Sequence, residues 1–232
     1  MATIKHWRAC FVLALSTLGA VGAIGAASGE ARAAVDPTAQ LREAAALGQA
    51  ARVRELLDQG VPPDGRDAQG NTALLRATQG NHVEAARVLI EAGADVNAQN
   101  GMQDSAYLLA GAQGYREILE LTLRYGADLQ STNRYGGTAL IPACERGHVE
   151  VVRTLLQAGA KPDHVNRLGW TGLLEAIILG DGGPRHQAIV AMLIGAGADV
   201  NLADREGVTP LRHARQKGQA EIIAQLERAG AR

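Results

Sequence analysis

Large side chains are scarce in this sequence: one Phe, two Trp and four Tyr make aromatics 3% of 232 residues. A core without aromatic anchors has to be built from small residues packed closely, and Ala, Gly and Leu dominate. Cysteine is equally scarce. Only Cys10 and Cys144 occur, so a disulfide framework is excluded as the source of stability. Neither sign of charge prevails, with 23 Lys and Arg against 24 Asp and Glu. That balance leaves no footprint for nucleic acid or an anionic membrane surface. Catalytic signatures are also missing. The sequence has no H-x-x-x-H or C-x-x-C at metal-ligand spacing, no G-x-S-x-G elbow and no phosphate-cradling glycine loop. No metal, cofactor or catalytic residue is expected. At 47% apolar and 20% charged, the chain is nevertheless of globular composition.

The segment 1–33 reads as a leader. Lys5 and Arg8 form a positive start, Cys10 to Ala27 is apolar or small throughout, and Ala31-Arg32-Ala33 supplies an A-x-A site. This is the pattern of a secretory signal peptide removed after Ala33, the apolar run being short and Gly-rich for a spanning helix. An uncleaved anchor is the alternative. No twin-arginine pair is present, and Cys10 precedes the apolar run, so it cannot become a lipoprotein cysteine. The expected location is the bacterial periplasm, with secretion as the alternative and no membrane attachment after cleavage. Residues 34–232 then form one domain of net charge −3, with Cys144 its sole thiol.

What the chain does have is repetition. GNTALLRATQGNHVEAARVLIEAGADVNA (70–98) returns as GGTALIPACERGHVEVVRTLLQAGAKPDH (136–164), with a weaker copy at 103–131 between them. Thr72, Ser105, Thr138 and Thr171 are equally spaced, and Gly60, Gly93, Gly126 and Gly159 keep the same step. Thr209 and Gly197 continue the two series, each later than that step would place it. A Thr or Ser opening each first helix can cap an orphan amide. The small residues Ala44, Ala77, Ala110, Ala143, Ala176 and Ala214 let neighbouring helices approach. Gly48, Gly114, Gly147 and Gly218, with Asn81 in their place once, suit the left-handed end of a helix. Apolar pairs such as Leu89-Ile90 and Leu155-Leu156 mark the inward stripe of each second helix. D/N-x-x-G stretches at 67–70, 133–136, 166–169 and 204–207 predict turns.

A 33-residue period carrying T-x-L-x-x-A, then G-H-x-E, then L-L-x-x-G-A-D resembles the ankyrin repeat. The nearest local matches are Thr209-Pro210-Leu211, Gly147-His148-Val149-Glu150 and Gly93-Ala94-Asp95-Val96-Asn97. The family's T-P-L-H histidine is replaced by Leu75, Leu108, Ile141, Leu174 and Arg212, and the third unit opens on Asp104-Ser105-Ala106-Tyr107. The resemblance implies an all-α solenoid of about six helix–turn–helix units with short turn or β-hairpin connections. The units fall at 37–66, 67–99, 100–132, 133–165, 166–203 and 204–232, with the first and last as caps. It also implies a non-catalytic module that binds a partner protein, as a monomer, through its turn edge and the concave face of its first helices. For exported bacterial relatives it implies a protective role, against a toxin or oxidative stress.

Candidate binding residues follow from the repeat positions. The two middle residues of successive turns are Ala68-Gln69, Gly101-Met102, Arg134-Tyr135, Arg167-Leu168 and Arg205-Glu206, all expected to face solvent. Arg134, Arg167 and Arg205 therefore form a row, flanked by Tyr135, Leu168 and Trp170, residue types that concentrate binding energy. The second candidate is the five-residue excess in GDGGPRHQA (180–188). Gly180 is expected to end the first helix of its unit, with the second starting late at Gln187 and the excess bulging as a loop. Ile178 and Leu179 would form an apolar patch covered by the loop or by a partner, with Arg185 beside it. Asp181, Arg185 and His186 are a weak catalytic cluster without a pocket. His82 and His148 share one repeat position and are assigned to helix starts; His164 and His213 are placed alone on the surface. Two alternatives remain: a thiol-based redox sensor or enzyme using Cys144, and a self-assembling scaffold.

Overall fold

The computed structural model describes residues 36–232, so the expected leader (1–33) and Cys10 lie outside the described residues. Among the described residues are twelve α-helices and no strand. They come in six pairs: α1 (Pro37–Ala46) and α2 (Ala50–Asp58), α3 (Ala73–Gln79) and α4 (Val83–Glu91), α5 (Ala106–Gln113) and α6 (Arg116–Arg124), α7 (Leu140–Glu145) and α8 (Val149–Gln157), α9 (Gly172–Ile178) and α10 (Pro184–Gly195), α11 (Pro210–Gln216) and α12 (Ala220–Arg228). First helices pack on first helices and second on second, each on its neighbours along the stack. Short helices of this kind are marginal alone and owe their stability to this packing.

The small-residue row works as the spacing predicts. Ala77, Ala110, Ala143, Ala176 and Ala214 have no exposed surface, and Ala44 has 3%. In the second helices the first residue of each apolar pair is buried (Leu56, Leu89, Leu155, Leu193). Asn81 adopts φ 52 where Gly48, Gly114, Gly147 and Gly218 are left-handed. Thr72, Ser105, Thr171 and Thr209 accept the backbone N–H of Leu75, Leu108, Leu174 and Arg212, capping α3, α5, α9 and α11.

Thr138 departs from that pattern. α7 starts one residue later, its cap is Ala139, and Thr138 Oγ1 is buried without a partner. Pro142 is the reason. It has no N–H to give to the Thr138 carbonyl, so Ile141 N donates there instead, at 3.2 Å, and is lost to the hydroxyl.

A second ladder ties successive units at their far ends. Asp64 accepts from the Asp95 amide (3.0 Å), Asn97 from Asp128 (2.9 Å), Asp163 from Asp199 (3.0 Å) and Asn201 from Arg232 (2.9 Å).

The excess in the fifth unit is not the loop expected of it. α9 ends at Ile178 with Leu179 as its cap, and α10 starts at Pro184 rather than Gln187, running for 12 residues where α8 has 9. Gly182 rather than Gly180 takes the left-handed conformation (φ 70). Gly-Gly-Pro does stop a helix, but proline at the first helical position also starts one, because its missing N–H is an orphan there anyway. Most of the excess therefore lengthens α10.

Candidate protein-interaction edge

Each turn that precedes a first helix is held by its opening Asp or Asn. Asp67 Oδ1 accepts the amides of Gln69 (2.9 Å) and Asn71 (2.8 Å). Asn100, Asn133, Asn166 and Asp204 accept the amides two and four residues on in the same way. A left-handed fourth residue closes the turn: Gly70, Gly136, Gly169 and Gly207, but Gln103 (φ 60) in the third unit. Each turn thus has a fixed tip whose two middle residues project from a rigid base.

A strut nine residues long, which the sequence reading missed, joins three of these turns to the following helix. Arg76 Nη2 meets Asp67 Oδ2 at 2.6 Å, and His213 Nε2 lies 2.7 Å from Asp204 Oδ2. In the fifth unit the polarity is reversed: Asn166 Nδ2 donates to Glu175 Oε1 at 2.7 Å. Units three and four have Leu109 and Pro142 at the helix position and no strut. Burial pushes the Asp67 carboxyl up, but donors from Asn71, Arg76 and Gln69 outweigh it and hold the group well below the usual carboxylate range.

The row of tip arginines is only partly free. Arg134 and Tyr135 are half-buried, a correction to the expectation that all tip residues face solvent. The Arg134 guanidinium stacks over the Tyr135 ring at 4.8 Å and sits 3.8 Å from Asp104. Trp170 is half-buried as well, its amide donating to Asn166. Arg167 and Arg205 are exposed, yet their stems are placed: a Cβ on Gly136 would lie 2.9 Å from Arg167 Cγ, and one on Gly169 2.4 Å from Arg205 Cγ. Arg167 Nη1 also donates to the Arg134 carbonyl at 2.7 Å, and its amide to the Tyr135 carbonyl at 2.9 Å. Leu168 (38% exposed) and Met102 (50%) present apolar surface at the second tip position. The exposed tip residues are therefore Ala68, Gln69, Gly101, Met102, Arg167, Leu168, Arg205 and Glu206, of which Met102, Arg167, Leu168 and Arg205 offer apolar or basic surface on rigid bases.

Ile178, Leu179 and Arg185 are not part of that set. They lie at the C-terminal end of α9 and beyond it, whereas the tips adjoin its N-terminal end, about 10 Å away along a seven-residue helix. Ile178 and Leu179 are half-buried rather than an exposed patch. The next unit engages their backbone: Lys217 Nζ donates to the Ile178 carbonyl (2.6 Å) and to that of Gly180 (3.1 Å), and Gln219 to that of Ile177 (3.0 Å). Arg185 is exposed. His186 is buried between Asp181 Oδ1 (2.7 Å) and the Glu145 carbonyl (2.9 Å). Both ring nitrogens are occupied, so it acts as a clamp between the fourth and fifth units.

The other histidines among the described residues also have partners. His82 Nε2 lies 3.0 Å from the Ala46 carbonyl, so it joins two units and does not cap its own helix. His164 reaches the Gly136 carbonyl at 2.7 Å, and with the pairing of His213 and Asp204 neither is a lone surface group. Cys144 has no exposed surface, and burial, with Glu175 nearby, pushes its thiol well above the usual range. A redox sensor needs the opposite environment. Among the described residues no cluster of His, Cys, Asp or Glu could hold a metal ion, and no helix is long and apolar enough to cross a membrane.

Comparison with known proteins settles the family. The profile described as ankyrin repeats (3 copies) matches residues 26–100 and 107–204, more than half of the chain. The chain belongs to the ankyrin repeat family. A solved ankyrin repeat domain from Acinetobacter baumannii is 59% identical with a TM-score of 0.81, covering 83% of this chain and 98% of that one. The human ASB11 ankyrin repeat domain is 28% identical with a TM-score of 0.70, covering 83% and 84%. The putative ankyrin repeat protein YahD of Escherichia coli K12 is 51% identical over 57 residues, a match spanning 25% of this chain and 28% of that relative's length. Ankyrin repeats are protein-interaction modules, generally without catalysis, and the arrangement here suits that use.

Proposed function

We propose that this ankyrin repeat protein binds an acidic, partly apolar protein surface through its turn edge and the adjoining first-helix face. One observation carries the reading: Arg167, Leu168 and Arg205 project from tips whose bases are locked by Asn166, Asp204 and stacking on the preceding turn. Little ordering is lost when a preorganised surface binds, so a few well-placed side chains suffice. We further propose that the protein acts as a monomer in the bacterial periplasm, in a protective role against a toxin or oxidative stress. The leader pattern at residues 1–33 supports the location.

The test compares wild type with Arg167→Glu/Leu168→Ser/Arg205→Glu in pull-downs from periplasmic extract. These three side chains are exposed and the hydrogen bond lost is that of Arg167 to the Arg134 carbonyl, so the variant is expected to stay folded with at most a small fall in melting temperature and to lose the partner. Equal recovery by both proteins overturns the edge assignment. Mass spectrometry of the exported protein checks the location: it should begin at Ala34, and a retained leader refutes the cleavage.

A further inference from the structure

Glu175 has no exposed surface, yet only one of its carboxyl oxygens has a partner. Oε1 accepts from Asn166 Nδ2 at 2.7 Å, while Oε2 is buried without any hydrogen bond. The equivalent positions in units two and six are cations or neutral bases set against turn aspartates, Arg76 with Asp67 and His213 with Asp204. Unit five has instead an acid on the helix and an uncharged amide on the turn. A carboxylate there would be an ion in a dry interface with a single donor, and such a group takes up a proton instead. Burial, with the charge of Glu145 beside it, pushes the carboxyl up to about 8, against the donor from Asn166.

The other groups around it offer no compensation. Facing α9 from α7 are Cys144, fully buried, and Glu145, whose charge is of the same sign. The titratable groups of α11 are Arg212, His213 and Arg215; His213 is engaged by Asp204, and Arg215 meets Glu227 at 2.6 Å. Those of α10 are Arg185, exposed, and His186, held by Asp181.

Asn166 also shapes the tip above this acid. Its Oδ1 accepts the amides of Leu168 (2.9 Å) and Trp170 (3.0 Å), while its Nδ2 holds Glu175. One side chain therefore joins a buried acid to the tip that carries Arg167 and Leu168. We propose that Glu175 is a pH-sensitive prop for this tip: protonated, it stays dry beneath the turn, and ionised, it keeps the Asn166 donor on Oε1 but draws water to the unpartnered Oε2 and so shifts the turn that Asn166 shapes. On ionisation the proton leaves to solvent, and the remaining carboxylate needs water. The helices packed around it, α7, α10 and α11, are each held by a helical hydrogen-bond ladder, whereas the turn has none. Movement of the turn is the cheapest route to hydration. The regulatory consequence rests on the tip being the binding edge; the coupling itself is a property of this chain alone.

The experiment uses the full chain with Trp7→Phe, so that Trp170 is the only tryptophan, excited selectively over the four tyrosines. The Glu175 carboxyl is followed by carbon-13 NMR and Trp170 by fluorescence, from about pH 5 to about pH 9. Both signals should move together with a midpoint near 8, and Glu175→Gln should lose both transitions. Glu175→Leu recreates the pairing of Asn100 with Leu109 already present in unit three. It should fold, keep a flat Trp170 signal, and cover a failure of the Gln variant to fold. A carboxyl midpoint in the ordinary glutamate range, Trp170 unmoved while the carboxyl titrates, or an unchanged Trp170 transition in Glu175→Leu each overturns the proposal. No partner takes part, so the result is independent of whether the edge binds.

Discussion

Thr138 and Thr171 occupy the same position in consecutive repeat units, and valine should act on them with opposite signs. Both are buried, at 5% and 2% exposure. Thr171 Oγ1 accepts the Leu174 amide at 3.2 Å. Thr171→Val removes that cap and should cost about 1 kcal/mol. Thr138 Oγ1 has no partner, because Ile141 already donates to the Thr138 carbonyl in place of Pro142. Thr138→Val replaces a desolvated, unpaired hydroxyl by a methyl group of nearly the same size and should stabilise by about 1 kcal/mol. The gap between the variants is then about 2 kcal/mol, or roughly 4 to 8 °C in Tm for a chain of this size. Urea denaturation followed by circular dichroism measures it, provided the slope m is unchanged so that midpoints report stability. Pro142→Ala supplies an internal control: it returns an amide to the Thr138 carbonyl, frees Ile141 N for the hydroxyl, and should make Thr138→Val destabilising in that background. The reasoning is refuted if Thr138→Val alone loses as much stability as Thr171→Val.

Four further outcomes are expected. Gln103 holds φ 60 without being glycine, so Gln103→Gly should stabilise by about 0.5 to 1 kcal/mol, and a lower Tm would contradict this. Gly169 combines φ 86 with a Cβ position 2.4 Å from Arg205 Cγ; Gly169→Ala should cost about 1 to 2 kcal/mol, checked by the same denaturation. The Asp67 carboxyl is lowered in the folded chain, so its contribution is complete above the ordinary aspartate range and lost as pH falls through and below it. Asp67→Asn should therefore flatten the acid limb of the stability profile, and an unaltered limb would count against the strut. Cys144, buried with its thiol raised, should react with a disulfide reagent at pH 8 only after urea is added; reaction of the native protein would restore the thiol-sensor alternative.

The helix pairs, the small-residue row and four of five threonine or serine caps were legible because they are local and recur in phase, so each unit checks the next. The Thr138 exception was also written in the chain, but in a single residue. Proline four places after a capping threonine removes the N–H that would occupy its carbonyl. The turn-to-helix struts were harder, because residue types change while the relationship persists. At a fixed spacing of nine, turn aspartates face Arg76 and His213, and the turn asparagine Asn166 faces Glu175. A pattern search by residue type misses this; a search for a hydrogen-bond donor against an acceptor at that spacing finds it.

The excess in unit five shows why breaker residues mark a boundary without saying which side of it is helical. Gly182-Gly183-Pro184 lies beyond the end of α9 at Ile178 and opens α10, because proline suits its first position. Long-range contacts then fix the register. His82 spans to the Ala46 carbonyl, 36 residues back, and His186 spans to the Glu145 carbonyl, 41 back. The histidine thus keeps its contact with the preceding unit, and all five extra residues are taken up before it. Asp181 holds the other ring nitrogen, while Lys217 and Gln219 of the next unit hold the carbonyls of Ile177, Ile178 and Gly180. A segment fixed from both neighbouring units is an inter-unit staple. It has little freedom left to adapt to a partner, which is why the binding edge we propose rests on the tips at the opposite end of α9 and not on the insertion.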